Sequence, residues 1–459
     1  MHTSNGGGAV DWLPWSGDAF RRARAERKPI LLSIVSSWAR GCEEMDRVCY
    51  REPAIAAQIR SSLIAVRVDA DDRPDIADRY DLGGLPTTAF LTEDGELLGG
   101  GTFVPPERLR AAIERVVSRA DEPLSASRPL HEGARNVDDE ALLELVVGSY
   151  DEAHGGFGAA PKFPLTAPVR LAIDLYAESH QPAMLEQAVR TLDVMGWGPL
   201  YDAGSGGFFR CAASGDWTSP EPEKLLQTNI SLLDLYLHAG ERLGHERWFT
   251  RAADVVQYVN RDLGGANNGW RVAESAPPTR KFTDGNAVAV SAMLRAAAAF
   301  NDDGIGRYAV DALERVLLAS YKPGHGVGHS AHGVRGLLID QVAMAGANLD
   351  AWEATGNVVY RMMSEELMHY ALRMMWDGAE GGFFDRADEN RADEPSSGTL
   401  KPIALNCEAA VVLARIAQAT DDQLFARRAG DTLAAMRERA AESGALAAHY
   451  LLARRAVGR

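Results

Sequence analysis

Pro29-Ile30-Leu31-Leu32-Ser33-Ile34-Val35-Ser36-Ser37-Trp38-Ala39-Arg40-Gly41-Cys42 is an apolar run of strand length that passes straight into Trp-Ala-Arg-Gly-Cys. Nearly uninterrupted apolar character, without polar alternation, marks a strand buried on both faces. Upstream, residues 17–28 carry the spacing of an amphipathic helix. Downstream, residues 39–60 read as helical and 63–71 as a second buried strand. A short helix over 75–81 and a strand over 87–93 follow. Asp94-Gly95 then turns the chain into 96–101 as an antiparallel hairpin. Pro105 and Pro106 open a last helix that closes at 120. Residues 1–120 therefore predict an α/β domain, a sheet with packed helices.

Residues 121–137 lack periodicity and read as a linker, and from 138 to 459 the pattern is helical throughout. Twelve helices are expected there, among them 222–243, 335–355 and 403–420, taken in consecutive pairs as six hairpins. An internal repeat supports the pairing. Tyr150-Asp151 to Gly155-Gly156-Phe157, Tyr201-Asp202 to Gly206-Gly207-Phe208 and Trp376-Asp377 to Gly381-Gly382-Phe383 share one aromatic-Asp-x-x-x-Gly-Gly-Phe pattern. Asp262 with Gly269-Trp270 is a weaker copy. Six repeating hairpins predict a closed (α/α)6 toroid rather than an open solenoid.

The chain has 459 residues and a net charge of −16, so nucleic acid is not an expected partner, because phosphate binding needs a basic face. No uninterrupted apolar run reaches roughly 18 residues, and no membrane span is expected. The opening residues carry no basic leader or apolar core, which leads us to expect a cytoplasmic protein. Lysine is rare: Lys28, Lys162, Lys224, Lys281, Lys322 and Lys401 are six of the 48 basic residues. Cys42, Cys49, Cys211 and Cys407 offer no CxxC pair, zinc spacing or disulfide framework.

Trp38 to Cys42, placed between a strand and a helix, resembles the Trp-Cys-x-x-Cys site of thioredoxins. Leu85-Pro86-Thr87-Thr88 resembles their cis-proline loop. Ala39 stands where the nucleophilic cysteine would be, and alanine cannot attack a disulfide. Cys42 occupies the resolving position. Cys49, seven residues on, lies about 10 Å further along a continuous helix, beyond the roughly 7 Å between Cα atoms that a disulfide allows. The site therefore reads as a redox remnant of Ala39, Cys42 and Pro86. Main chain beside Pro86 is the expected docking point for an extended peptide.

In the helical half, carboxylates and aromatics dominate the expected mouth of the barrel. Asp202, Arg210, Trp217, Asn286, Asn406 and Glu408 are the candidate ligand-binding residues, and Glu223, Asp284 and Asp340 the candidate acid–base residues. Paired carboxylates suit sugar chemistry, and Trp217, Trp270 and Trp376 could stack on sugar rings. Asp340 is the best single candidate, because a carboxylate in an apolar stretch is costly unless paired or functional. His325, His329 and His332 fall in a glycine-rich segment that reads as a polar loop, so no metal site and no cofactor is expected. No P-loop, GxGxxG or HExxH occurs.

Val10-Asp11-Trp12-Leu13-Pro14-Trp15, Asp69 to Tyr80 and Gly155 to Pro164 (Gly-Gly-Phe-Gly-Ala-Ala-Pro-Lys-Phe-Pro) resemble motifs of the spermatogenesis-associated protein 20 family. That resemblance spans nearly the whole chain. It implies a thioredoxin-like domain followed by a six-hairpin glycosidase-like barrel. The family's Cys-His-Trp-Cys-His is Ala39-Arg40-Gly41-Cys42-Glu43 here, and its Pro-His-Phe-Glu-Lys is Pro220-Glu221-Pro222-Glu223-Lys224. The expected function is thus a redox-inactive or weak thioredoxin-like module joined to a barrel that binds a carbohydrate-like or other polar ligand. A thiol/disulfide oxidoreductase using Cys42 and a non-catalytic scaffold are the alternatives.

Overall fold

The computed structural model describes residues 10–119, 138–265, 269–387 and 400–458. The linker expected at 121–137 lies outside the described residues. The chain divides into two units, Met1–Glu132 with Arg386–Leu400, and Gly133–Asp385 with Lys401–Arg459. The sequence reading assigned everything from 138 onward to the helical domain, whereas the described residues Arg386, Ala387 and Leu400 group with the first unit. There, Arg386 Nη1 lies 3.3 Å from Asp75 Oδ2, both side chains being buried.

In the first unit the elements run β1 (Leu13–Pro14), α1 (Gly17–Glu26), β2 (Ile30–Val35), α2 (Arg40–Met45), α3 (Pro53–Ser62), β3 (Ile64–Asp69), α4 (Pro74–Arg79), β4 (Thr87–Leu91), β5 (Leu97–Gly101) and α5 (Pro106–Arg119). The sheet order is β1-β3-β2-β4-β5. β2 runs parallel to β3, with Ile30 opposite Ile64, and antiparallel to β4, with Ile30 opposite Leu91. Ile30, Leu32 and Ile34 enter one core with Phe20, Val66 and Ile76. Leu31 points the other way, into a core with Tyr50, Ile55, Phe90 and Ile113. The strand's unbroken apolar run follows from this two-sided burial. The helix expected over 39–60 is interrupted. α2 runs into a π turn at Asp46–Tyr50, and α3 restarts at Pro53, where Glu52 caps Ala54 N–H and Ile55 N–H.

The second unit contains α6 (Asp139–Gly148), α7 (Thr166–Ser179), α8 (Pro182–Trp197), α9 (Leu226–Leu243), α10 (Glu246–Tyr258), α11 (Thr283–Phe300), α12 (Asp303–Ser320), α13 (Leu338–Thr355), α14 (Val358–Met374), α15 (Ile403–Thr420), α16 (Gln423–Ala440) and α17 (Ala447–Val457). Helices α7, α9, α11, α13, α15 and α17 pack each on the next, and α17 returns to α7, which closes the ring. The outer layer places α8 on α7, α10 on α9, α12 on α11, α14 on α13, α16 on α15 and α6 on α17. Hairpins therefore do not start at the first helix, as consecutive pairing predicted; the unit's first and last helices form the sixth pair. α15 is apolar enough over 18 residues to suit a bilayer by composition, but here it is an inner helix of the ring, packed on α13, α16 and α17.

Two helices begin later than expected. Leu225 bridges Ala273 and Arg335 bridges Gly328, so α9 starts at 226 rather than 222 and α13 at 338 rather than 335.

Candidate functional site

The repeated aromatic-Asp-Gly-Gly-Phe segments are turns leading to inner helices. In the second copy, Asp202 Oδ1 accepts from the Gly204 and Ser205 N–H groups. Tyr201 bridges Phe208 across the turn. Gly207 has φ +78°, and a Cβ there would lie 2.5 Å from the Tyr258 ring, so only glycine fits. A buried lysine locks each copy: Lys162 to Asp151, Lys224 to Asp202 and Lys401 to Asp377. Asp202 is held well below the usual carboxylate range, chiefly by the Lys224 ammonium. It is a turn residue, contrary to its expected ligand role.

Asn286 and Asn406 are corrected in the same way. Each is the fourth residue of an inner helix and is buried. Asn286 accepts from Trp270 N–H and donates to Trp270 O and Phe282 O. Asn406 accepts from Phe383 N–H and donates to Phe383 O and Pro402 O. Asn229 in α9 and Gln341 in α13 make the same clip, on Phe208 and Val327. These amides are spent on backbone groups of the preceding turn.

Trp217 is buried, donates from Nε1 to Gly155 O at 3.1 Å, and has the Lys162 ammonium 5.2 Å from its ring centre. It offers no face to a sugar, and Trp270 is fully buried as well. Arg210 pairs with Glu221 at 2.6 Å, and its N–H donates to the main-chain oxygen of Glu223. Glu223 thus sits in the loop before α9.

The sequence reading found one residue of the ring's lumen, Glu408. A cavity of about 590 Å³ lies there, and all six inner helices contribute to its lining. Glu408 (α15) is exposed to the cavity, with the helices of the ring packed around it. Desolvation by the surrounding protein lifts its carboxyl to about 7. No hydrogen bond or ion pair to this carboxylate occurs among the described residues. His449 (α17) lines the same cavity, and burial lowers its imidazole below the usual histidine range. On α7 and α9, His238 Nε2 lies 2.8 Å from Asp174 Oδ1, and Arg295 Nη2 lies 3.3 Å from His238 Nδ1. The guanidinium can only donate, so the ring's proton sits on Nε2 and Asp174 accepts it. Val288, Val342, Val411 and Leu452 supply apolar walls. Among the described residues, no Phe, Tyr or Trp lines the cavity.

Asp284 and Asp340 do converge, around a histidine that the sequence reading left in a polar loop. His329 Nδ1 lies 2.9 Å from Asp340 Oδ1 and 3.8 Å from Asp284 Oδ1. Asp340 is the third residue of α13 and fully buried. Burial pushes its carboxyl up to about 6 although the His329 ring opposes the shift. Glu223 is not part of this cluster.

In the first unit, Ala39 precedes the first turn of α2 and is buried, as are Cys42 and Pro86. Cys42 N–H donates to Ala39 O at 3.0 Å. Burial pushes the Cys42 thiol up to about 11, the reverse of an activated thiolate. Trp38 Nε1 and Ser36 Oγ both donate to Asp71, which fixes the loop before α2. The Leu85–Pro86 peptide is cis, and Leu85 packs half-buried on the core beside β2.

Residues 3–129 match the Thioredox_DsbH family, described as a protein of unknown function, DUF255. Spermatogenesis-associated protein 20 of Homo sapiens is 31% identical over 314 residues, 59% of this chain and 40% of the human protein. The Rattus norvegicus protein is 30% identical over 312 residues, 59% of this chain and 39% of its own length. The chain thus spans about two fifths of the length of the curated relatives it matches. Among solved structures, a sugar epimerase from a ruminal bacterium superposes with TM-score 0.55 at 12% identity, covering 65% of this chain and 84% of the epimerase. A GH76 alpha-mannanase of Bacteroides thetaiotaomicron gives TM-score 0.55 at 10% identity, covering 70% and 94%. At such identities these likenesses establish the fold alone. Over 59% of its length the chain is similar to spermatogenesis-associated protein 20, and its fold is a thioredoxin-like first unit with a six-hairpin toroid of glycosidase-like architecture.

Proposed function

We propose that the lumen of the toroid binds a polar, carbohydrate-like ligand, and that the thioredoxin-like unit does not exchange disulfides. Glu408 carries this reading: an uncompensated carboxyl held near neutrality inside a cavity is a group poised to donate or accept a proton. His449 and the Asp174–His238 pair share that cavity. Hydroxyl-rich ligands need such mixed donors and acceptors, and the valine and leucine walls suit the C–H faces of a sugar ring. The volume of about 590 Å³ falls within the roughly 300–1,000 Å³ of small-molecule sites. The sugar epimerase and alpha-mannanase of like fold also favour a sugar. Any catalysis is then acid–base work by Glu408 with His449, rather than by Glu223, Asp284 and Asp340.

The test is calorimetric titration of the full chain with D-mannose, cellobiose and D-glucuronate. Binding of at least one, weakened tenfold or more by Glu408→Gln, is expected. Absence of binding by all three, or indifference to the substitution, would overturn the reading.

A further inference from the structure

We propose that Asp284, His329 and Asp340 form a binding site for one divalent transition-metal ion. This site is separate from the lumen, since none of the three lines that cavity. One ligand atom from each lies within 4.8 Å of the others. A tetrahedral zinc site with bonds near 2.0–2.1 Å separates adjacent donor atoms by about 3.4 Å. The observed separations of 2.9 and 3.8 Å from His329 Nδ1 bracket that figure.

A second observation points to a cation. Asp340 is fully buried, and its Oδ2 has no hydrogen-bond partner among the described residues. A buried carboxylate oxygen left in this state is costly, and a metal ion supplies the missing charge. Two carboxylates and an imidazole make a donor set suited to zinc and its neighbours.

The surroundings hold the donors in place. Phe282 stacks on the His329 ring at 4.8 Å with 21° between planes. His329 N–H donates to Val334 O at 2.8 Å, and Thr283 N–H donates to His329 O at 2.9 Å. Thr283 Oγ1 donates to Gly328 O at 2.6 Å, tying the histidine loop to the first turn of α11. Such anchoring is what metal ligands require. Asp284 has a side chain 23% exposed, against 3% for His329 and none for Asp340, so solvent reaches the site past Asp284. Histidine spacing alone could not reveal this set, because His325 and His332 are exposed and take no part.

The experiment uses the untagged full chain, stripped with a chelator and titrated with Zn²⁺ in a calorimeter. One equivalent should bind, with a rise in melting temperature. Asp284→Asn, on the partly exposed ligand, and Asp340→Asn should each weaken binding at least tenfold while leaving the far-ultraviolet circular dichroism unchanged. A His325→Ala/His332→Ala variant should bind as the parent does. Co²⁺ should give visible ligand-field absorption that His329→Gln abolishes. Absence of stoichiometric binding, loss of binding in the His325/His332 variant, or unchanged affinity in a folded Asp284→Asn would overturn the proposal.

Discussion

Lys224 Nζ lies 2.7 Å from Asp202 Oδ2, and the same ammonium donates to Ser205 Oγ and Gly206 O. All three ammonium donors are used, in a site where the lysine side chain is 3% exposed. Lys401 repeats the arrangement on Asp377 and Gly381 O, and Lys162 on Asp151 and Gly215 O. Half of the chain's six lysines thus serve one purpose in a protein otherwise rich in arginine. A compact ammonium fits where a planar guanidinium would not. Lys224→Met should destabilise the chain by about 3 kcal/mol, as expected for removing one partner of a buried pair. Lys224→Arg should fail to restore that loss. Substitution of the exposed Lys322 by Met should stay within about 0.5 kcal/mol. Urea midpoints at constant slope measure all three.

The amide clips make a related prediction. Asn406→Ala strands the N–H and C=O of Phe383 in a buried turn, which should cost about 2–3 kcal/mol. Asn286→Ala should do the same through Trp270. Neither asparagine lines the lumen, so sugar affinity measured well below the melting temperature should change less than twofold. A selective loss of affinity without loss of stability would return these residues to a binding role.

Cys42 should behave as a structural thiol. With burial holding it near 11, iodoacetamide should label folded protein at pH 7.5 far more slowly than urea-unfolded protein. The parent chain should not reduce insulin with dithiothreitol as electron source. Ala39→Cys restores a pair at the start of α2, and a folded variant should gain dithiol activity. Turnover by the parent, or trapping of a mixed disulfide at Cys42, would contradict the inert reading.

What was legible in the sequence follows from how local each signal is. Ile30–Val35 announces itself because burial on both faces removes every polar alternative. Asp151, Asp202 and Asp377 announce the turns because an Asp side chain caps backbone only two and three residues away. Ring closure was legible only as a count, since helical periodicity does not say that α6 pairs with α17. Asn286 and Asn406 were misassigned because an asparagine reads the same whether it faces a ligand or clips a loop. Their shared fourth position with Asn229 and Gln341 was the usable signal. His329 and Asp340 come from a loop and a helix, and Glu408 and His449 from different inner helices, so only tertiary packing brings them together.

Glu408 sets a pH dependence whose sign can be worked out. Its carboxyl lies near 4.5 in an unstructured chain and at about 7 in the folded one. The folded state therefore holds the proton more tightly, and this contribution to stability is fully present below pH 4.5 and lost as pH rises through 7. Lining the lumen with it are Arg170, Asp174, His238, Glu241, Arg242, His449 and Arg455. Of these, Arg455 is paired with Glu178, Arg170 with Asp234, Glu241 with Arg295, and Asp174 with His238 and Arg242. Because the carboxylate also meets cavity water, solvent screening keeps the stability effect smaller than the shift alone implies. Glu408→Gln should therefore flatten the fall in melting temperature between pH 4.5 and 7 and make the variant more stable than the parent at pH 8, while the two match at pH 4. Sugar affinity of the parent should change across pH 6–8 as the proton leaves, and that of the variant should not. Equal pH profiles for parent and variant would show that the lumen carboxyl ionises as an ordinary glutamate, and the acid–base reading of the cavity would fall with it.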